Sequence, residues 1–325
     1  MKLRFLAGLA ASIILSASAA FAQNAVPTNR YGMKLEQKAD GTYALQKEAR
    51  YAKILNLSEI PDLYTPYTHE NDRLSGKLYN KVETVVIEYK GALKIAVDKA
   101  ISETPSPVLF FCHGGGWARG NFDASRSLTK YLAQNHGITG VRIEYTLAPE
   151  PGANVQVSIH DVLDAVQYIR DHAKELNIDP SRMGFAGSSA GAHLSACAAM
   201  LTKEAKVFVG YSGIYDLTTA AIVQKTKDAE RIQYFGNRDE KYLREASPLY
   251  LIPKKTKIAA QLFCGTGDIT VEYSQSEAFA QELKHHKAKV DLQVYKYYDH
   301  SLNAKASDKM EEIFFKTVDF VVENL

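Results

Sequence analysis

The sequence predicts an α/β fold, a mostly parallel central sheet flanked by helices, with an N-terminal extension ahead of it. Three observations predict it. From Val82 onward, short strand-like runs alternate with stretches of helical periodicity, the pattern that builds βαβ units. Several of those runs, such as residues 108–112 and 258–264, are apolar throughout, as strands covered on both faces are. The Gly-, Ser-, Asp- and His-bearing motifs all fall just after such runs, at the strand ends where open parallel sheets bind ligands.

Taken in order, the chain opens on Lys2 and Arg4, followed by an uncharged apolar stretch over residues 5–20 and then Ala20-Phe21-Ala22 before Gln23. That is the layout of a secretory signal peptide, so residues 1–22 are expected to be removed and the protein to be secreted or periplasmic. The apolar stretch falls short of the ~20 residues a membrane span needs. No membrane association is expected after cleavage. Residues 23–80 form the extension, either packed against the body or acting as a partial lid. Residues 45–57 have helical character there, and Pro61-Asp62 and Thr65-Pro66 break it. Residues 81–325 are expected to form the main α/β domain. Within it, strands are predicted over residues 82–89, 93–97, 108–112, 137–145, 182–186, 207–211, 258–264 and 290–297. Helices are predicted over 122–134, 158–176, 189–201, 273–287 and 308–325.

Composition narrows the partners. Of 325 residues, 46% are hydrophobic and 23% charged, which suits one large folded domain with an extension. Without residues 1–22, the basic residues equal the 37 acidic ones, which gives no electrostatic case for nucleic acid or an anionic membrane. Of the three cysteines, Cys112 and Cys264 end strand-like runs and Cys197 lies in a helical one. There is no CxxC pair and no His/Cys grouping at zinc spacing, so neither a metal nor a disulfide is expected.

Gly187-Ser188-Ser189-Ala190-Gly191 is a GxSxG pentapeptide between a predicted strand and a predicted helix. That context is the one a nucleophile elbow requires: a turn too tight for bulky neighbours lifts the serine hydroxyl above the sheet. The glycine spacing puts Ser189 at the tip, with Ser188 as the rival nucleophile. The Ala190 N–H would lie at the positive end of the following helix.

His113-Gly114-Gly115-Gly116-Trp117 follows an earlier strand. With the elbow, it makes residues 82–325 resemble the HGGG-type esterases of the α/β-hydrolase family, which include hormone-sensitive-lipase-like enzymes and bacterial carbohydrate and feruloyl esterases. The resemblance implies that Gly115 and Gly116 join Ala190 in donating N–H groups to a developing oxyanion, where glycine lets backbone approach closely. The order on this fold is Ser, then acid, then His. Among the histidines after Ser189, only His300 follows a strand; His193 lies on the helix behind the serine, and His285-His286 end another helix. Asp268, in Gly265-Thr266-Gly267-Asp268, supplies the acid from the loop after the preceding strand, with Glu272 as the alternative. Asp299 reads as a surface or supporting residue.

Leu147-Ala148-Pro149-Glu150 matches the family's block after the next strand, while Thr146 stands where an arginine is usual and should alter loop anchoring. Ser188 and Ala192 also depart from the lipase-like branch, and Ala190-Gly191-Ala192-His193-Leu194 with Ala246-Ser247-Pro248 leans toward the carbohydrate-esterase side. Trp117 is expected to pack under the glycine loop, and His160-Asp161 to sit on a solvated or packed helix face. The implied function is cofactor-independent hydrolysis of short-chain or aryl esters, including acetyl or feruloyl groups on plant polysaccharides. The same triad acting on an amide, as in an arylformamidase or peptidase, and a non-catalytic binding module on this scaffold are the other readings. The charges of residues 218–245 and the tyrosines of the extension (Tyr31, Tyr51, Tyr64 and Tyr67) argue against a lipid chain as substrate.

Overall fold

The computed structural model describes residues 35–37, 43–45, 81–302 and 308–325. The expected signal peptide and most of the extension, with the helical run after Leu45, lie outside them. Leu35–Gln37 (β1) and Tyr43–Leu45 (β2) pair antiparallel, so Leu45 closes a strand rather than opening a helix.

The main sheet starts with Thr84–Lys90 (β3) and Leu93–Asp98 (β4), an antiparallel pair turning at Gly91, whose φ of 57° suits a residue without a side chain. It continues with Ser106–Cys112 (β5), Thr139–Ile143 (β6), Ile178–Ser188 (β7), Ala205–Tyr211 (β8), Ala259–Gly265 (β9) and Lys289–Tyr295 (β10). The eight strands lie in the order β10-β9-β8-β7-β5-β6-β4-β3. β5 to β10 are mutually parallel, and β4 joins β6 antiparallel. Apolar alternation explains why the central strands are continuous runs. On β5, Phe110 packs into the cluster on one face with Phe185 and Phe208, while Leu109 and Phe111 enter the cluster on the other. Burying each such side chain contributes roughly 1.5–3 kcal/mol.

Helices cover both faces. Arg126–Asn135 (α1) contributes Leu128 and Leu132 to the second cluster, which also holds Ile313, Phe314, Val318 and Val321 from the C-terminal helix. Val155–Asp171 (α2) and Ala190–Leu201 (α3) pack on the first face through Ile159, Val162, Val166, Leu194 and Cys197. Four short helices then run between β8 and β9: Ala221–Gln224 (α4), Ala229–Tyr234 (α5), Glu240–Glu245 (α6) and Pro248–Leu251 (α7). Ser274–His285 (α8) and Asp308–Asn324 (α9) complete the set.

Local chemistry moves some boundaries. α1 begins at Arg126 rather than near Phe122, because Asn121 Oδ1 accepts the Asp123 N–H in a turn and the Phe122 carbonyl is held by Arg142. α2 starts at Val155 because Asn154 caps it, accepting from the Val157 N–H at 3.0 Å. Asp161 takes the packed alternative of the helix-face reading and His160 the solvated one. It is fully buried, takes the Lys90 ammonium at 2.8 Å and accepts the Thr146 N–H at 2.8 Å, whereas His160 is exposed. The loop in which Thr146 replaces the usual arginine is thus tied to α2, with Ser158 Oγ also donating to the Thr146 carbonyl. Asp98 and Arg142 form an ion pair buried on both sides at 2.9 Å, joined by Thr129. Cys112 on β5 and Cys264 on β9 are separated by β7 and β8, and all three cysteines are buried.

Candidate active site

β7 runs straight into α3, and Ser189 sits at the join with φ 53° and ψ −123°. A non-glycine residue adopts this region only under strain. Close backbone approach explains the flanking glycines. A Cβ on Gly191 would stand 2.1 Å from the Cys112 carbonyl oxygen, and one on Gly187 would stand 2.4 Å from the Gly191 oxygen. The Ser189 N–H donates to the Tyr211 carbonyl at 2.8 Å, which fixes the turn to β8.

The loops after β9 and β10 meet the serine. His300 Nε2 lies 2.8 Å from Ser189 Oγ, and His300 Nδ1 lies 2.7 Å from Asp268 Oδ2. With a carboxylate at Nδ1, that nitrogen carries the proton, so Nε2 accepts from the serine hydroxyl. The Asp268 side chain is buried, and its other oxygen accepts the Thr270 and Val271 N–H groups at 2.8 and 2.9 Å. Two further bonds sew the loops together: Gly267 N–H to the Tyr298 carbonyl at 2.9 Å, and Tyr297 N–H to Thr266 Oγ1 at 2.8 Å. Glu272 turns elsewhere and accepts the Ala221 N–H at 3.4 Å. Asp299 accepts the Ser301 N–H and so shapes the histidine loop. Ser188 faces Gly114, where a built Cβ would lie 3.0 Å from its Oγ, and His300 meets Ser189 instead.

The glycine loop is oriented peptide by peptide. In a trans peptide the N–H points opposite to the C=O. His113 Nδ1 donates to the Gly114 carbonyl at 2.7 Å, which turns the Gly115 N–H away from the imidazole. The Gly115 carbonyl accepts from Ala118 N–H at 3.2 Å, and this sets the Gly116 N–H in the same way. His113 is buried, stacks on Tyr145 at 4.3 Å, and is pushed down to about 4 by desolvation, partly offset by its bond to Gly114. It therefore stays neutral and keeps this geometry.

Trp117 is 1% exposed, with its edge against Phe235. It packs under the loop, as expected. Its Nε1 donates to His193 Nδ1 at 3.2 Å, and His193 Nε2 donates to the Ala246 carbonyl at 2.7 Å. Burial pushes His193 down to about 4 as well, so it too is neutral. The sequence reading assigned His193 and His113 no such bridging role. It also missed Arg231, whose Nη2 donates to the Gly116 carbonyl at 3.1 Å. A cavity of about 550 Å³, lined by residues 148–154 with Glu230, Gln233, Gly236 and Tyr242, includes none of the triad or glycine-loop residues in its wall. Among the described residues, no group of three or more His, Cys, Asp or Glu side chains is placed to hold a metal ion. No described helix is long and apolar enough to cross a membrane.

A mostly parallel eight-stranded sheet with this strand order, and a serine raised at a strand-to-helix turn beside a histidine, define an α/β-hydrolase. The BD-FAE family model matches residues 93–283, more than half of the chain. Among solved structures, Thermogutta terrifontis esterase 2 phosphoramylated by tabun aligns at 22% identity over 74% of this chain and 94% of its own, with a TM-score of 0.62. The propionate-bound form of that thermophilic esterase aligns at 21% identity over 75% and 95%, also at 0.62. The butyrate-bound form aligns at 23% identity over 74% and 94%, at 0.61. At that identity the likeness is one of fold. The chain belongs to the BD-FAE family of esterase-like α/β-hydrolases, and is a serine hydrolase of carboxylic esters.

Proposed function

We propose that the protein is an exported serine carboxylesterase for short-chain or aryl esters, working through Ser189, His300 and Asp268. The observation that carries this reading is the unbroken chain of bonds from Ser189 Oγ through His300 to Asp268, at 2.8 and 2.7 Å. His300 Nε2 takes the hydroxyl proton as Ser189 Oγ attacks the ester carbonyl. Asp268 holds the imidazole in the required tautomer and stabilises its cation. The negative charge on the carbonyl oxygen is met by the N–H groups of Gly115, Gly116 and Ala190, each worth roughly 3–4 kcal/mol in the transition state. His300 then protonates the leaving alcohol, and water activated by the same imidazole releases the acid from the acyl-enzyme.

Three features support small acyl or aryl groups. Tyr273 and Tyr297, 38% and 63% exposed, stand on the loops that carry Asp268 and His300 and suit an aryl or sugar ring. The short helices α4–α7 turn Tyr234, Phe235 and Leu243 inward and leave Glu230, Glu240, Lys241 and Arg244 outside. The esterase of similar fold is known with propionate and butyrate bound. Acetyl and feruloyl groups on plant polysaccharides fit these limits and an exported enzyme. A panel of 4-nitrophenyl acetate, acetylated xylan, methyl ferulate and N-formylkynurenine tests the reading. Turnover of the esters is expected; faster turnover of the formamide would move the protein to the arylformamidases. Export is tested by N-terminal sequencing of the protein recovered outside the cytoplasm, which should begin at Gln23.

A further inference from the structure

Arg231 lies on α5, within the charged segment between β8 and β9, and presses on the oxyanion loop. Beyond its bond to the Gly116 carbonyl, its Nη2 stands 2.6 Å from where a Gly116 Cβ would be. The Arg119 backbone and the base of its side chain lie against Gly115, with its Cγ 3.1 Å from a Cβ built there. An arginine therefore stands at each of the two glycines assigned to the oxyanion. Arg231 is half-buried and Arg119 is exposed.

Neither arginine has a carboxylate partner among the described residues. None of the nearby acids pairs with either guanidinium among the described residues. Asp228 caps α5, accepting the Glu230 and Arg231 N–H groups at 3.0 and 3.3 Å. Glu230 lines the cavity beside residues 148–154. Asp123 leans on Arg126 and Arg142. A carbonyl oxygen uses one of the five N–H donors of a guanidinium, so most of the Arg231 fork stays available to a ligand. A half-buried cation on the glycine loop, held in place by a backbone bond, is preorganised for a planar anion.

We propose that Arg231, with Arg119 at its rim, is an anion-recognition subsite that selects esters bearing a carboxylate a few bonds from the scissile carbonyl. The substrate class is a monoester of a dicarboxylic acid or an acylated hydroxy or uronic acid. This rests on the esterase reading above.

Matched pairs differing only in charge test it. Monoethyl succinate against ethyl succinamate places the carboxylate on the acyl side, and 4-acetoxybenzoate against 4-acetoxybenzamide places it on the leaving group. In the wild type, kcat/KM should favour the anion by about tenfold or more in one of the two pairs, the range of a charge-assisted bond. Arg231→Gln should bring that ratio to near one, and Arg119→Gln should lower it less. A wild-type ratio near one in both pairs, or a ratio that Arg231→Gln leaves intact, overturns the proposal. An equal loss on all four esters also overturns it, because Arg231 would then only clamp Gly116. The same pairs are titrated by calorimetry into Ser189→Ala, with and without Arg231→Gln. Anion preference in binding without turnover by the wild type would sink the esterase reading and leave the subsite standing.

Discussion

Asp268 and Glu272 are four residues apart on one loop, and only their hydrogen bonds separate their roles. Asp268 accepts from His300 and from two backbone N–H groups, whereas Glu272 is spent on the Ala221 N–H. Asp268→Asn should lower kcat by about 10⁴-fold through the wrong tautomer of His300, while Glu272→Gln should cost under about tenfold. Steady-state rates on 4-nitrophenyl acetate in the reverse order would transfer the acid role to Glu272. The two buried histidines carry a separate consequence. His113 and His193 fall to about 4 by burial, against a usual 6.5 in the unfolded chain. Between these values the unfolded chain binds more protons, so this contribution is complete above pH ~6.5 and is lost as pH falls toward 4, roughly 3 kcal/mol for each group. Urea melts from pH 7 to 4.5 should show that slope, and His193→Gln should remove about half of it. A stability flat across this window would contradict the neutral, bonded imidazoles. At this scale Ser189, Asp268 and His300 could be nominated from sequence, because a pentapeptide and an order of residues along the chain identify them. The partners of His193, Arg231 and Asp161 lie 76, 115 and 71 residues away, and no local pattern announces them.

The elbow is where element geometry is least forgiving. Gly191 sits on the first turn of α3, directly against the carbonyl oxygens of Cys112 and His113 at the end of β5. Gly191→Ala should therefore cost at least about 3 kcal/mol by overpacking rigid backbone. Gly152 has φ +79° but nothing within 4 Å of its added Cβ, so Gly152→Ala should cost only the left-handed penalty, about 1–2 kcal/mol. Thermal melts of the two variants with similar losses would mean that close approach is not what fixes the elbow. The long elements were legible because their apolar periods are long. Residues 158–169 already mark α2, and the apolar runs mark β5 and β9. α4 to α7 were not, because helices of four to six residues complete barely a turn and give no period to read. Their caps were visible in principle: Asp228 and Asp239 each accept N–H groups from the first turn that follows.

For the whole molecule, the parallel sheet collects residues far apart in sequence at one edge, so that the ends of β5, β7, β9 and β10 converge on a single serine. The sequence predicted that convergence from the alternation of strands and helices. It could not predict how the segment between β8 and β9 folds over the glycine loop, because that depends on contacts such as Trp117 with Phe235. That segment buries Tyr234, Phe235 and Leu243 and exposes Glu230, Glu240, Lys241 and Arg244, so kcat/KM should fall roughly a hundredfold or more from butyryl to palmitoyl esters. A higher value for palmitate, or activation at an oil–water interface, would refute this. If one activated serine does the chemistry, covalent titration with a fluorophosphonate followed by peptide mass spectrometry should find one phosphonyl group per chain, on Ser189, with esterase activity falling in proportion to its occupancy. An adduct on Ser188, or full activity after stoichiometric labelling, would contradict it.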